Sequence, residues 1–438
     1  MTIDTVQPST RGAGPSLPTD LVAEYAAARP ASRRLFEQAQ QLFPGGETRA
    51  VTHFAPFPTI VLEGHGSRLL DADGHSYLDL VNNYTSLVHG NAYPPITEAI
   101  AAAAATGTAF ASMHPAQMAL VDALIGRVPA MQSMRLTNSG SEASALALRI
   151  ARHATGRRVL VVLEGSYHGA VPPFTSDEPE VRTLPFGQLD AIDALIDDDV
   201  AAVFAEPFLG AGGVIEVPAE YLRALRERAR QVGAVFVIDE VQSLRNEYAG
   251  MGARLDLDAD LVTVAKVIGG GLPIGGVGGR RELLDLTSPL RAGRITHSGT
   301  FNGHVVAAAA GLVSVEHLTE SAIDRMNAGA ATLSAAIERA GAAAGFPVRV
   351  TRAGSILNVH PGGSPVPDPQ AAKRHSTARA ALHLALLGEG VYTSTRGMIN
   401  LSTVLTDAEL ENAALAYERA FRRLAPDAAM LLTDDDEQ

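Results

Sequence analysis

Four short apolar segments in the middle of the chain have the pattern of buried β-strands. They are RRVLVVLEG (157–165), VAAVFAEP (200–207), GAVFVIDEV (233–241) and DLVTVAKV (260–267). A segment that is apolar at successive positions, without polar residues in alternation, is typical of a strand covered on both faces. The pattern therefore predicts a buried sheet through the centre of the molecule.

Helical patterns lie between these segments. In 220–233, Leu222, Leu225 and Ala229 recur at the spacing of one helix face, and the opposite face is charged. Gly233 then suits a helix C-cap. Strands that alternate with helices favour an α/β fold, with a mainly parallel sheet flanked by helices and ligands at the carboxyl ends of the strands.

The two ends of the chain have a different character. GSRLLDADGHSYLDL (66–80) alternates on either side of Asp73-Gly74, which predicts a hairpin. After about residue 320, Ala-rich helical patterns mix with a few strands. We expect a large domain and a smaller α+β domain from both chain ends, flanked by a flexible polar arm without a signal peptide and by an acidic tail. The expected boundaries are 1–28 for the arm, 29–80 and 319–428 for the small domain, 81–318 for the large domain and 429–438 for the tail.

Composition narrows the classes of function. The 438 residues carry a formal net charge of −13 and include no cysteine. The charge disfavours nucleic acid and anionic membranes as partners, and the lack of cysteine excludes disulfides, thiolate metal sites and cysteine nucleophiles. No apolar run reaches the roughly 18 residues that span a membrane. We expect a cytoplasmic protein without a metal site.

A lysine inside an apolar run is the first candidate for chemistry. Lys266 follows the fourth predicted strand, and seven glycines lie between 269 and 279. A buried ammonium loses solvation, so its pKa falls and the amine becomes a nucleophile. The glycines are expected to let the backbone turn and pass close beneath a ligand.

Other features also fall at predicted strand ends. Asp239 closes the third strand and needs a positive partner if it is buried. The turn 139–141 (SGS) opens a helix, where backbone N–H groups can bind a phosphate. Tyr167 and His168 follow the first strand. One ligand with a phosphate, a flat ring, a basic ring nitrogen and a carbonyl would satisfy all of these groups, and pyridoxal 5′-phosphate has all four.

The motifs around these positions resemble a known family. NSGSEA (138–143), DEV (239–241) and HSGTFNGH (297–304) are similar to motifs of the class III, fold-type I aminotransferases, nearest to the glutamate-1-semialdehyde aminomutase-like branch. Within that branch, PGGETRAV (44–51) and VYTSTRGMINLS (391–402) resemble the β-phenylalanine (aromatic β-amino acid) aminotransferases. The similarity extends from about residue 30 to residue 425.

The resemblance implies a role for each position. Lys266 would hold the cofactor and later shuttle a proton, while Asp239 would keep the ring nitrogen protonated. Val241 and Tyr167 would cover the two faces of the ring. The phosphate would lie against Ser139, Gly140 and Ser141.

Three further positions complete the implied cofactor site. Glu206, in the AEP motif, and His168 would belong to its polar surroundings. Thr300 would reach the phosphate from the other subunit, so the resemblance implies a homodimer with active sites at the subunit interface.

The resemblance also implies a substrate side. Arg49 would bind the substrate carboxylate, and Arg396 would be a second, movable arginine for the carboxylate of the other substrate. Tyr84 and Val51 would line the pocket. Gln242 follows DEV, where the aromatic β-amino acid enzymes carry an apolar residue, so it places a polar group in this pocket.

These features lead to one expected function with alternatives. We expect a transaminase that moves the amino group of a β-amino acid, aromatic ones included, to a 2-oxo acid such as 2-oxoglutarate or pyruvate. An aminomutase, or a class III aminotransferase for ω- or α-amino acids, is the alternative. The short segment 170–187 argues against a mutase, because a mutase needs a lid to retain its intermediate. A protein that binds the cofactor without turnover is disfavoured by the Lys266–Asp239 pair, and a dehydrogenase by the lack of a dinucleotide fingerprint.

Overall fold

The computed structural model describes residues 16–175 and 178–433. Its α-helices are α1 (Thr19–Ala28), α2 (Pro30–Ala39), α3 (Asn82–Thr85), α4 (Pro94–Thr106), α5 (Pro115–Arg127), α6 (Gly140–Thr155), α7 (Ile192–Leu195), α8 (Ala219–Val232), α9 (Met251–Arg254), α10 (Arg281–Leu284), α11 (Val305–His317), α12 (Glu320–Ala344), α13 (Ser376–Gly388), α14 (Asp407–Leu424) and α15 (Ala428–Leu431). Its strands are β1 (Val61–His65), β2 (Arg68–Asp71), β3 (Ser76–Asp79), β4 (Ser133–Thr137), β5 (Val159–Leu163), β6 (Val181–Leu184), β7 (Val200–Ala205), β8 (Phe208–Leu209), β9 (Ile215–Glu216), β10 (Val235–Asp239), β11 (Leu261–Ala265), β12 (Gly275–Gly279), β13 (Val348–Ala353), β14 (Ile356–Pro361), β15 (Val391–Tyr392) and β16 (Met398–Asn400).

The largest sheet has the strand order β4-β12-β11-β10-β7-β5-β6. The pairs from β11 to β6 are all parallel, whereas β12 is antiparallel to both β11 and β4. The four apolar segments of the sequence are β5, β7, β10 and β11. The predicted α/β fold with a mainly parallel sheet is therefore confirmed.

Helices cover both faces of this sheet. Along β10, Val235 and Val237 belong to a buried cluster that also contains residues of α6. Phe236 and Ile238 belong to a second cluster with residues of α8. Successive side chains of a strand point to opposite faces, so apolar residues are required at every position. Gly233 caps α8 with a φ of 69°, as its place in the sequence predicts.

The glycines that follow Lys266 have a second structural role, which the sequence did not predict. Gly270 and Gly271 have positive φ and form the expected turn. The later glycines, however, form the buried strand β12. A Cβ at Gly275 would lie 2.3 Å from the Ser139 carbonyl oxygen, and one at Gly276 would lie 2.2 Å from Met134 Cε. The expectation that the whole segment turns beneath a ligand is wrong from 275 onward, because glycine there permits close packing within the sheet.

Two smaller sheets contain the chain ends. One has the order β1-β2-β3-β15 and so joins an N-terminal hairpin to a C-terminal strand, and the other has the order β13-β14-β16. The hairpin of β2 and β3 turns through Gly74, whose φ is 88°. This arrangement supports a small domain built from both ends, although its boundaries stay a prediction. Within the described residues, no helix is long and apolar enough to cross a membrane.

The expected arm and tail are partly wrong. Residues 19–28 form α1, where Leu21 and Tyr25 are buried, and the Tyr25 hydroxyl donates to the Phe57 carbonyl at 2.9 Å. These two apolar residues lie four apart, on one helix face, so this part of the arm packs on the protein. At the other end, Leu431 of α15 is buried. Residues 1–15 and 434–438 lie outside the described part of the chain.

Candidate active site

The ends of adjacent strands bring the two central candidates together. Asp239 is the last residue of β10, and Lys266 follows the last residue of β11. Because these strands are parallel neighbours, both side chains lie at the same edge of the sheet. A cavity of about 560 Å³ opens there. Its wall includes Arg49, Ser139, Gly140, Ser141, Tyr167, His168, Glu206, Asp239, Val241, Gln242 and Lys266.

Lys266 has the properties of a reactive amine. Its φ of 53° is unusual for a residue other than glycine and costs roughly 1 kcal/mol. Burial lowers its pKa to about 8, although the negative charges of Asp239 and Glu206 oppose this shift. Among the hydrogen bonds and ion pairs of the described residues, none involves Lys266 Nζ. A substantial fraction of this amine is therefore neutral near pH 8 and free to react.

His168 is the direct partner of Asp239. The distance between His168 Nδ1 and Asp239 Oδ2 is 2.8 Å, and the Val241 N–H donates to Asp239 Oδ1 at 3.0 Å. Burial opposes a charge on His168, but its pKa is raised overall by the hydrogen bond to Asp239 and by the charges of Asp239 and Glu206. The hydrogen bond between His168 and Asp239 therefore favours a charged imidazole in this buried pair.

Glu206 is a buried carboxyl group in the same wall. Its Oε2 accepts from the Tyr167 N–H at 3.0 Å and its Oε1 from the Gly210 N–H at 3.4 Å. Burial raises the pKa of Glu206 to about 7, and the charge of Asp239 adds to this rise. Glu206 can therefore exchange a proton near neutral pH.

The N-terminus of α6 forms one end of the cavity. Ser139 is the N-cap, and its Oγ accepts from the Glu142 N–H at 3.2 Å. Ser141 Oγ accepts from the Ala170 N–H at 3.0 Å. The first turn of an α-helix has no internal acceptors for its N–H groups, so this end of the cavity suits an anion such as a phosphate.

The substrate-side candidates lie at the opposite margin. Arg49 Nη1 donates to Asn83 Oδ1 at 3.0 Å, and its guanidinium lies 5.7 Å from the centre of the Tyr84 ring. The Tyr84 hydroxyl donates to the Val51 carbonyl at 2.9 Å. Arg49 and Asn83 line both the cavity of Lys266 and a second one of about 250 Å³, which includes Tyr84 and Val51. The two cavities are thus neighbours.

Two other predicted residues, Arg396 and Thr300, line neither of these two cavities. Arg396 is exposed on the turn before β16, near enough to Tyr84 for its charge to oppose the burial that raises the pKa of Tyr84. Thr300 is also exposed and lines a separate open cavity of about 1080 Å³. The chain does not bring Thr300 to its own Lys266.

Asn83 and residues 272–274 also line the cavity, although the sequence did not single them out. Asn83 stands in a run of four residues with positive φ. Asparagine adopts this conformation more readily than most residues, so the Asn82-Asn83 pair was the available signal. Gly271, one of the glycines expected to pass close beneath a ligand, ends the turn behind Lys266 and lines the cavity.

The residues of the cavity fit pyridoxal phosphate. Lys266 supplies an amine, Asp239 a carboxylate for a ring nitrogen, and α6 an anion site. Two buried polar atoms, His168 Nε2 and Gln242 Oε1, have no hydrogen-bond partner in the described part of the chain. Buried polar atoms need hydrogen-bond partners, and a polar ligand in this cavity can supply them.

Comparisons with known proteins agree with this fit. Residues 50–177 and 173–416 match the family model "Aminotransferase class-III". The chain is 36% identical over 403 residues to a β-phenylalanine transaminase of Variovorax paradoxus, covering 90% of this chain and 93% of the relative. It is 35% identical to a glutamate-1-semialdehyde 2,1-aminomutase of Myxococcus xanthus, with 90% and 98% covered.

A solved structure extends this similarity to the fold. The crystal structure of an omega-transaminase from Sphaerobacter thermophilus superposes with a TM-score of 0.85 and 35% identity, covering 91% of this chain and 98% of that one. Another solved transaminase of similar fold holds pyridoxal phosphate. The resemblance found in the sequence is confirmed. The chain belongs to the class III aminotransferases and is a pyridoxal-phosphate-dependent enzyme of the fold-type I class.

Proposed function

We propose that this transaminase takes the amino group of a β-amino acid, aromatic ones included, and passes it to a 2-oxo acid such as 2-oxoglutarate or pyruvate. The observation that carries the proposal is the place of Arg49, which lines the cavity of Lys266 and is held by Asn83. A guanidinium binds a carboxylate through two parallel hydrogen bonds. The name of the Variovorax paradoxus relative favours a carboxylate one carbon farther from the amine than in an α-amino acid.

Each residue of the cavity has a role in this proposal. Lys266 holds the cofactor and, once free, moves a proton from the amine-bearing carbon of the substrate on its Nζ. Asp239 binds the ring nitrogen, and Val241 and Tyr167 cover the ring. Pyridoxal phosphate itself supplies an electron sink for the negative charge that proton removal leaves.

The remaining cavity residues support these roles. Ser139, Gly140 and Ser141 bind the phosphate at the start of α6. His168 holds Asp239 through a hydrogen bond, and Glu206 can take up or release a proton near neutral pH. Gln242 faces the substrate with a polar group, which favours substrates that offer a hydrogen-bonding partner to its amide.

The working unit in this proposal is a homodimer in the cytoplasm. Thr300 lies away from Lys266 of its own chain, in an open cavity with exposed apolar residues. Among these, Phe110 is 47%, Met113 72% and Met118 61% exposed. An apolar surface of this kind suits a subunit interface, across which Thr300 reaches the phosphate of the partner.

An aminomutase is the second candidate, because the Myxococcus xanthus relative of that name is nearly as similar. The connection from β5 to β6 disfavours it. Only residues 164–180 separate the two strands, which leaves little chain for a lid over the cavity.

A half-reaction distinguishes these candidates. The enzyme is loaded with pyridoxal phosphate, freed of excess cofactor and mixed with single 3-aminocarboxylic acids, 2-aminocarboxylic acids or ω-amines, without any 2-oxo acid. After acid denaturation, chromatography measures pyridoxamine phosphate. We expect one equivalent per site with β-amino acids. Conversion by α-amino acids or ω-amines alone would overturn the β-amino acid assignment, and isomer formation without an oxo acid would indicate a mutase.

A further inference from the structure

Arg245 is a fully buried cation in the turn after β10, the strand that ends at Asp239. It lies six residues after Asp239 and is 0% exposed. Its Nη1 donates to Asn400 Oδ1 at 3.0 Å, its Nε to Ser355 Oγ at 3.2 Å and its Nη2 to the Leu401 carbonyl. No carboxylate of the described residues lies within ion-pair distance, and burial lowers the pKa of Arg245 to about 9. A buried charge with only neutral acceptors is costly.

The contact with Asn400 continues to the substrate side. Asn400 Nδ2 donates to the Val81 carbonyl at 2.7 Å, and Asn82 Nδ2 donates to the Asn400 carbonyl at 2.9 Å. The Val81 and Asn82 N–H groups both donate to Asp79 Oδ1 at 2.9 Å. All of these side chains are buried. Arg245 and Asn400 therefore fix the segment in which Asn82 lies.

This segment carries the groups that hold Arg49. Residues 82–85 have φ values of 45°, 45°, 53° and 76°, and left-handed backbone outside glycine costs free energy at each residue. Such a conformation persists only where neighbouring contacts fix it. Asn83 and Tyr84 are the partners of Arg49.

We propose that Arg245 is a positioning residue that holds the segment 82–85 in its left-handed conformation, through Asn400 and through a longer contact of its Nη1 with the Thr85 carbonyl at 3.5 Å, and thereby orients Arg49 for the substrate carboxylate. The proposal deepens the proposed function, since it rests on the role of Arg49 in carboxylate binding. Arg245 does not touch substrate or cofactor. A series of hydrogen bonds links Arg245, in the turn after β10, to the substrate side of the cavity.

Arg127 provides a matched control. It is a second buried arginine, 4% exposed, that donates to the carbonyls of Val315 and Leu318 at 3.1 Å and to that of Tyr248. Burial lowers its pKa to about 10. None of these partners lines the cavity of Lys266. Replacing Arg127 is therefore expected to lower the stability of the protein without changing KM for the substrate.

The test compares Arg245→Met, Asn400→Leu, their double variant and Arg127→Met. The amino donor is the one with the largest kcat/KM in the half-reaction. We expect KM to rise about tenfold or more in both single variants, with kcat and cofactor affinity within about threefold. The double variant should match the larger single effect, because both changes break one series of contacts. Arg127→Met should lower the melting temperature and leave KM unchanged.

A readout without activity completes the test. Chymotrypsin cleavage after Tyr84 in the cofactor-free protein should accelerate in Arg245→Met and not in Arg127→Met. If Arg245→Met fails to fold, Arg245→Lys takes its place, since one ammonium cannot reach all the acceptors of the guanidinium. Unchanged KM and cleavage in a folded variant would overturn the proposal. Arg49→Ala, measured alongside, distinguishes failure of this proposal from failure of the proposed function. A normal KM in Arg49→Ala would mean that Arg49 does not bind the substrate carboxylate.

Discussion

His168 Nδ1 lies 2.8 Å from Asp239 Oδ2, and both side chains are buried in the wall of the cavity of Lys266. The contact joins an imidazole from the loop after β5 to a carboxylate at the end of β10. It gives His168, which the sequence placed only in the surroundings of the cofactor, a defined electrostatic role. Asp239 needs a partner of this kind because a buried polar group without hydrogen bonds is costly.

The first prediction concerns this pair. His168→Phe should lower the affinity for pyridoxal phosphate and kcat by roughly 10- to 100-fold, since a hydrogen bond between charged groups contributes about 1.5–3 kcal/mol. Cofactor titration by absorbance and steady-state kinetics measure the two effects. Asp239→Asn is the matched variant and should show the larger loss of kcat. Normal affinity and kcat in His168→Phe would show that Asp239 needs no imidazole.

The second prediction follows from Glu206. Its pKa is raised from 4.5 to about 7 in the folded protein, mainly by burial. Between these values the folded chain binds more protons than the unfolded chain, so this group stabilises the fold fully below about pH 4.5 and loses that contribution as the pH rises through about 7. Glu206→Gln should therefore flatten the decline of stability over this range.

Chemical denaturation of the cofactor-free protein at several pH values measures this difference. The free energies of unfolding of the wild type and Glu206→Gln should diverge as the pH approaches 7. Glu180, a half-buried carboxylate at the surface paired with Arg158, offers a control position, because its pKa is lowered by the hydrogen bond from Arg158. Parallel pH profiles for the wild type and Glu206→Gln would mean that Glu206 is ionised throughout this range.

The third prediction uses the glycines of β12. Gly275→Ala places a Cβ 2.3 Å from the Ser139 carbonyl oxygen, which belongs to the backbone that opens α6. We expect a loss of about 1–3 kcal/mol in stability together with weaker cofactor binding, because the start of α6 must shift. In Gly276→Ala the nearest atom is the flexible end of Met134, so a smaller loss is expected.

Thermal melting and cofactor titration of both variants test this relation. The informative quantity is the cofactor affinity of Gly275→Ala relative to that of Gly276→Ala, each considered together with the loss of stability of that variant. Equal affinities would mean that the N-terminus of α6 does not depend on the close approach of β12.

The contrast between strands β10 and β12 explains what the sequence could reveal. Apolar runs predict β10 and β11, and a charged residue at the end of each run points to Asp239 and Lys266. Strand β12 is made largely of glycine, which has a low strand propensity. Glycine is required there because β12 lies close to Ser139 and Met134, which are distant in the chain.

The same limit applies to the substrate side. The Asn82-Asn83 pair is compatible with positive φ, but no local pattern shows that four such residues follow one another. Arg245 and Asn400 are 155 residues apart, so only the folded chain shows their contact. Motif similarity predicted a role for Arg49, whereas the hydrogen bond that holds it could not be predicted.

The last prediction tests the proposed homodimer through Thr300. Thr300→Val should weaken cofactor binding about tenfold. Subunits that carry Lys266→Ala, mixed with subunits that carry Thr300→Val, should regain tight binding in one site of each hybrid dimer, where Lys266 and Thr300 come from different chains. About a quarter of all sites should then bind the cofactor tightly after random pairing. If Thr300 serves its own chain, every site with Lys266 contains Val at position 300, and mixing recovers nothing.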